Sequence, residues 1–112
     1  MTAAAFDLNL TTTDTTDTTG ETVAVTGEID ITNASEFIAS IDGVAGRRPL
    51  IVDLSGLRYL DSAGFAALFQ MLGRDAIVAV VDPNSPVHAA ANLTGLPCHD
   101  SVDAAIASQR PS

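Results

Sequence analysis

Residues 50–65 read LIVDLSGLRYLDSAGF. Leu50 to Leu54 is a nearly continuous apolar run, bounded by Pro49 before it and Gly56 after it. Such a run fits a strand covered on both faces, as in a sheet flanked by helices. Ala76 to Val81 (AIVAVV) is a second run of this kind, closed by Asp82-Pro83. Between the two lie Leu60-Asp61-Ser62-Ala63-Gly64 and the apolar segment Phe65 to Leu72, where Phe65, Leu68, Phe69 and Leu72 recur at helical spacing. Strand, helix, strand at this separation predicts a βαβ unit with a right-handed crossover.

Toward the N-terminus, Ala5 to Leu10 alternates, with Phe6, Leu8 and Leu10 opposite Asp7 and Asn9, which predicts a half-buried strand. Thr11 to Thr22 (TTTDTTDTTGET) is the one low-complexity stretch, and its Thr, Asp and Gly content reads as a long hairpin loop. Val23 and Val25 begin a second strand that ends at Gly27-Glu28-Ile29-Asp30. Asn33 is placed to cap a helix, with Glu36 reaching back, and Ala34, Phe37, Ile38, Ile41 and Ala45 form its apolar stripe. Arg47-Arg48-Pro49 is a turn. Beyond the second apolar run, Ser85-Pro86 opens a helix through Val87, Ala90, Ala91 and Leu93 that stops near Gly95. Leu96 to His99 is a candidate edge strand, Ser101 a cap for a last helix through Val102, Ala105 and Ile106, and Gln109 to Ser112 a frayed tail. The pattern predicts one α/β domain spanning 1–112, with its core over about 5–108 and a mixed sheet of four to five strands with helices packed on it.

Composition narrows the function. Apolar types make up 46% of 112 residues, enough for a core, and a charged fraction of 17% argues against disorder. Acidic residues number 14 and basic residues 5, for a net charge of −9. That balance excludes nucleic acid and an anionic membrane surface as expected partners, since both need clustered positive charge. Cys98 is the only cysteine, so neither an internal disulfide nor a multi-cysteine zinc site is expected. The start MTAAAFDLNL has neither a basic n-region nor an apolar h-region, and no apolar run approaches the roughly 18 residues of a membrane span. The expectation is a cytoplasmic domain without direct membrane contact.

The chemistry-bearing candidates are few. Cys98-His99-Asp100 holds nucleophile, base and acid types, but consecutive residues on extended chain point to opposite faces and cannot converge. His88 reads as a surface or packed histidine, and Gly43-Val44-Ala45-Gly46 has neither Walker spacing nor a lysine. Neither a catalytic constellation, a metal site nor a cofactor is expected. Asp61-Ser62-Ala63-Gly64, at the handover from strand to helix, is different. On a structural reading, Asp61 or Ser62 caps the helix and Gly64 lets it pack closely on the sheet. On a functional reading, the same helix tip presents a hydroxyl where backbone N–H groups and the macrodipole favour an anion. Phosphorylation there adds about −1.5 to −2 charges, which in an acidic domain beside Asp61 changes what can dock.

Taken together, these residues resemble a known family. Gly27-Glu28-Ile29-Asp30 after a strand is similar to the Gly-Glu-Leu-Asp element of bacterial anti-sigma factor antagonists, the founding members of the STAS domain family. Leu50 to Leu57, followed by Tyr59 to Phe65, resembles that family's signature of a buried strand leading into Asp-Ser-Ser/Thr/Ala-Gly and an apolar helix. Asp82-Pro83 and Leu93-Thr94-Gly95-Leu96 look like its fourth strand and third-helix end, so the resemblance covers roughly residues 5 to 108.

The resemblance implies a binding module rather than an enzyme. Its partner is an anti-sigma factor that is also an ATP-dependent serine kinase. The unphosphorylated antagonist binds that kinase and releases a sigma factor, phosphorylation at the position of Ser62 switches it off, and a separate phosphatase resets it. In this reading Ser62 is the phosphoacceptor and Asp61 caps the helix and orients the hydroxyl. Ala63 and Gly64 complete the docking element, Gly64 letting the partner approach closely, and Glu28 and Asp30 either line the same surface or are solvated turn residues. Ala63 departs from the second hydroxyl residue of many antagonists, and Phe65 replaces the usual Leu or Ile. Ala63 resembles instead the Asp-Thr-Ala-Gly form of STAS subunits in lipid-trafficking ABC transporters, which implies the alternative of a constitutive subunit without a phosphorylation cycle.

Overall fold

The computed structural model describes residues 5–14, 19–44, 50–74 and 76–108. Strands β1 (Phe6–Asp14) and β2 (Thr19–Ile29) precede helix α1 (Ala34–Gly43). Strand β3 (Leu50–Leu60), helix α2 (Ser62–Gly73) and strand β4 (Ile77–Val80) form the expected βαβ unit. Helices α3 (His88–Thr94) and α4 (Val102–Ser108) follow. The sheet is mixed, in the order β1-β2-β3-β4, with β1 antiparallel to β2 and the other neighbours parallel. The α/β class and the single mixed sheet are those expected from the sequence.

Burial follows strand alternation. Val23, Val25, Val52, Leu54, Ile77 and Ala79 face a main core with Phe37 and Ile41 of α1, Phe65, Leu68 and Met71 of α2, and Ala91 of α3. Phe6 and Leu8 close its margin, with the Phe6 ring edge-on to Phe37 at 5.5 Å between centroids. On the opposite face, Ile51 and Val80 pack on Ala105, Val102 and Ile106 of α4. Both faces of β3 are therefore covered, which is why its first half reads as a continuous apolar run.

Several expectations need correction. Thr11 to Thr22 is largely strand: β1 runs through Asp14 and β2 starts at Thr19, with Asp14 opposite Thr19. The β-branched threonines favour extended backbone on a pleated surface, and this outweighs their turn tendency. Gly56 does not end β3, which continues to Leu60 through shifts of register against β2. A side chain at Gly56 would stand 2.9 Å from the Thr26 methyl, so this glycine marks close strand contact.

Leu96 to His99 gives only one parallel bridge, Val80 to His99, in which the His99 amide donates to Ala79 and the Val81 amide to His99, each at 2.9 Å. Pro97 lacks the N–H that would extend it. Ser85-Pro86 lies in a turn, where the Ser85 hydroxyl accepts from the Val87 amide at 3.3 Å and α3 starts only at His88. That helix does end at Gly95, whose φ of 74° is the left-handed conformation glycine supplies. Leu93 is exposed rather than part of an apolar stripe. Ser101 caps α4 by accepting from the Ala104 amide at 3.1 Å. Ala45, the Arg47-Arg48-Pro49 turn, the middle of the Thr-rich stretch (15–18) and the tail from 109 lie outside the described residues.

Candidate functional site

The parallel pairing of β2 and β3 brings their exits together. Ile29 pairs with Leu60, and the Asp61 amide donates to the Ile29 carbonyl at 3.2 Å. From β3 the chain enters α2 at once. From β2 it turns through Asp30 to Asn33 into α1. The Asp61-Ser62-Ala63-Gly64 and Gly27-Glu28-Ile29-Asp30 elements, 30 residues apart in sequence, thus share one rim of the sheet.

Asp61 is the junction of this rim. It occupies the N-cap of α2, where Oδ1 accepts from the Gly64 amide at 3.1 Å and the carbonyl accepts from the Phe65 amide at 2.9 Å. Its Oδ2 accepts from the Ile31 amide, across the rim, at 3.3 Å. The capping role expected for Asp61 is therefore present, and the same carboxylate also holds the neighbouring loop.

Ser62 is the first residue of α2, exposed, and its hydroxyl makes no hydrogen bond among the described residues. Each Asp61 oxygen accepts from one backbone amide, Oδ1 from Gly64 and Oδ2 from Ile31. Ala63 is half-buried against the core. Gly64 is buried: a Cβ there would collide with a Leu60 methyl and lie 3.2 Å from Ile29 Cγ2. It seats the helix on the sheet, as the structural reading holds.

Glu28 pairs with Tyr59 in the sheet, and its carboxylate lies 4.0 Å from the Arg58 guanidinium. Asp30 shapes the loop. Its Oδ1 accepts from the Thr32 amide at 2.8 Å and from the Thr32 hydroxyl, and its carbonyl accepts from the Asn33 and Ala34 amides. Asn33 sits at the N-cap of α1 but makes no cap hydrogen bond, contrary to expectation. It turns back instead: Oδ1 accepts from the Asp30 amide at 2.9 Å and Nδ2 donates to the Glu28 carbonyl at 3.0 Å. Only 5% exposed, it latches the loop from beneath.

Two residues of this rim escape the sequence reading. Ile31 is 80% exposed and Tyr59 is 51% exposed. The available signal is a lone isoleucine inside the polar turn Asp30-Ile31-Thr32-Asn33. The remaining candidates are scattered. Burial, reinforced by the Asp100 charge, pushes the Cys98 thiol up. His99 Nε2 lies 3.4 Å from the Ser108 hydroxyl, and His88 Nδ1 lies 3.5 Å from Asn92 Nδ2 on its own helix. Among the described residues no helix is long and apolar enough to cross a membrane.

A family model described as "Mlab, STAS domain" matches residues 13–97. No curated protein matches the chain. Among solved structures, the crystal structure of an anti-sigma factor antagonist from Mycobacterium paratuberculosis is similar with a TM-score of 0.64 at 22% identity, covering 91% of this chain and 93% of that one. That likeness is one of fold.

Proposed function

The chain belongs to the STAS domain family, and from that premise we propose that it is a cytoplasmic anti-sigma factor antagonist: a non-enzymatic binding module switched by phosphorylation of Ser62. The observation that carries this reading is the Ser62 hydroxyl, exposed and unengaged at the first turn of α2. A visiting kinase active site can reach it. The partner is an anti-sigma factor with ATP-dependent serine kinase activity. In the modification, Ser62 Oγ loses its proton and takes the γ-phosphoryl group of ATP, and ADP leaves. A phosphatase hydrolyses the ester to restore the hydroxyl.

The switch works by charge. The unmodified rim offers an apolar and acidic surface to the partner. A phosphate adds about −1.5 to −2 charges beside Asp61, where Asp30 and Glu28 supply no compensation and Arg58 is already turned to Glu28. A partner pocket that closes over the uncharged Ser62 hydroxyl must then desolvate a bulky dianion, which costs several kcal/mol.

The test is incubation with ATP and purified ATP-binding anti-sigma factors from the source genome, followed by mass spectrometry. A single phosphate on Ser62 is expected, with none on Ser62→Ala, which still binds the kinase. Ser62→Asp binds at least about tenfold more weakly. If Ser62→Asp binds the phosphorylating kinase as tightly as the native chain, the charge mechanism is wrong.

Ala63, where many antagonists carry a second hydroxyl, favours a second reading as the constitutive STAS subunit of a lipid-trafficking ABC transporter. Under that reading none of the kinases modifies Ser62, and the chain co-purifies with transporter subunits whether residue 62 is Ser or Ala.

A further inference from the structure

Resting on the reading of Ser62 as phosphoacceptor, we propose that Asp61 is a positioning residue that couples Ser62 to an anchor, Ile31, by which the partner docks. Two observations place Ile31 in this role. It is the most exposed large apolar residue of the rim, 80% exposed, on a turn whose other members are tied by hydrogen bonds from Asp30 and Asn33. Its own tie is the 3.3 Å bond from its amide to Asp61 Oδ2, while Oδ1 of the same carboxylate caps α2. One side chain thus sets both the helix tip that presents Ser62 and the loop that presents Ile31.

Charge defines the occupant. Beside Ile31 stand the carboxylates of Asp30 and Asp61, Tyr59 pairs with Glu28 in the sheet, and among the described residues Arg58 is the cation at this end, facing Glu28. In a chain of net charge −9, this surface fits a protein partner that offers an apolar pocket rimmed by Arg or Lys.

Modification of Ser62 reaches the anchor through Asp61. A phosphate dianion on the adjacent residue repels the Asp61 carboxylate and competes with it for the first-turn amides of α2. The carboxylate turns away and releases the Ile31 amide. Phosphorylation therefore acts twice, by placing a strongly hydrated dianion in the apolar contact and by loosening the anchor.

The coupling is tested on the isolated protein by amide hydrogen exchange, read by NMR at Ile31 and Gly64. Asn and Ser are N-caps as good as Asp, yet neither supplies a second carboxylate oxygen. In Asp61→Asn and Asp61→Ser, exchange at Ile31 rises about fivefold while Gly64 stays within about twofold. The chain carrying genetically encoded phosphoserine at position 62 shows the same rise at Ile31. An Ile31 rate unchanged in both Asp61 variants, or unchanged by the phosphoserine, overturns the coupling. The anchor is tested with the kinase that modifies Ser62. Ile31→Asp binds it at least about tenfold more weakly, and equal binding overturns the anchor. If no kinase modifies Ser62, the anchor falls with that reading, while the exchange rates still decide the coupling.

Discussion

Gly64 and Asn33 do at residue scale what neither glycine nor asparagine does by propensity. Gly64 sits inside the first turn of α2, where alanine is ordinarily the better helix former. It is retained by contact: the space a methyl needs is filled by Leu60 and Ile29 at the strand ends. Gly64→Ala is therefore expected to destabilise the fold by a net amount on the order of 1 kcal/mol, overpacking of about 1–3 kcal/mol less about 1 kcal/mol of helix propensity regained. A urea titration reads this as a lower midpoint with an unchanged slope, and a midpoint equal to the native one removes the packing argument. Asn33 answers both open groups of the Glu28–Asp30 turn with its one amide. Asn33→Ala leaves a donor and an acceptor unpaired, for a loss of about 1–3 kcal/mol. Amide exchange at Asp30 accelerates in that variant, and an unchanged Asp30 rate contradicts the latch.

At the scale of elements, α2 depends on Asp61 as its cap, because the free N–H groups of a first turn need an acceptor. Asp61→Ala is expected to cost about 0.5–2 kcal/mol in thermal or urea unfolding, and Asp61→Ser to restore most of it. A loss that serine fails to restore points away from capping. This cap, the βαβ unit around it and the Gly95 stop are legible in the sequence, since each rests on local rules: apolar runs, short polar caps, a glycine at a left-handed position. The Thr-rich hairpin is misread because threonine serves both turn and strand, and only pairing between β1 and β2 decides between them. Asn33 is misread for a related reason. Sequence spacing offers it a cap two to three residues ahead, but the folded rim offers it the Glu28 carbonyl behind. Ser62 and Asp61 are legible as a motif. The tie from Asp61 to Ile31 is not, because it joins residues 30 apart through the parallel pairing of β2 and β3.

For the whole molecule, the charge balance sets a rule that no single contact carries. Fourteen acidic residues meet five basic ones, and the ion pairs among the described residues are Arg58 with Glu28 and Arg74 with Asp42, at 4.0 and 3.5 Å. Most carboxylates repel one another with little local relief, so the folded state carries self-repulsion that the expanded chain escapes. Raising sodium chloride from about 10 to 500 mM shortens the Debye length from about 30 Å to under 10 Å. The fold is then expected to gain on the order of 1 kcal/mol, or roughly 4 °C in Tm for a domain of this size. Docking responds with the opposite sign. A basic-rimmed partner is steered by the same excess of carboxylates, so its association rate falls over that salt range while its dissociation rate changes little. Differential scanning fluorimetry and surface plasmon resonance on one salt series separate the two effects. If Tm and association rate both fall with salt, self-repulsion is not what limits the fold. If the association rate is indifferent to salt, the partner surface is not basic, and docking at Ile31 rests on apolar contact alone.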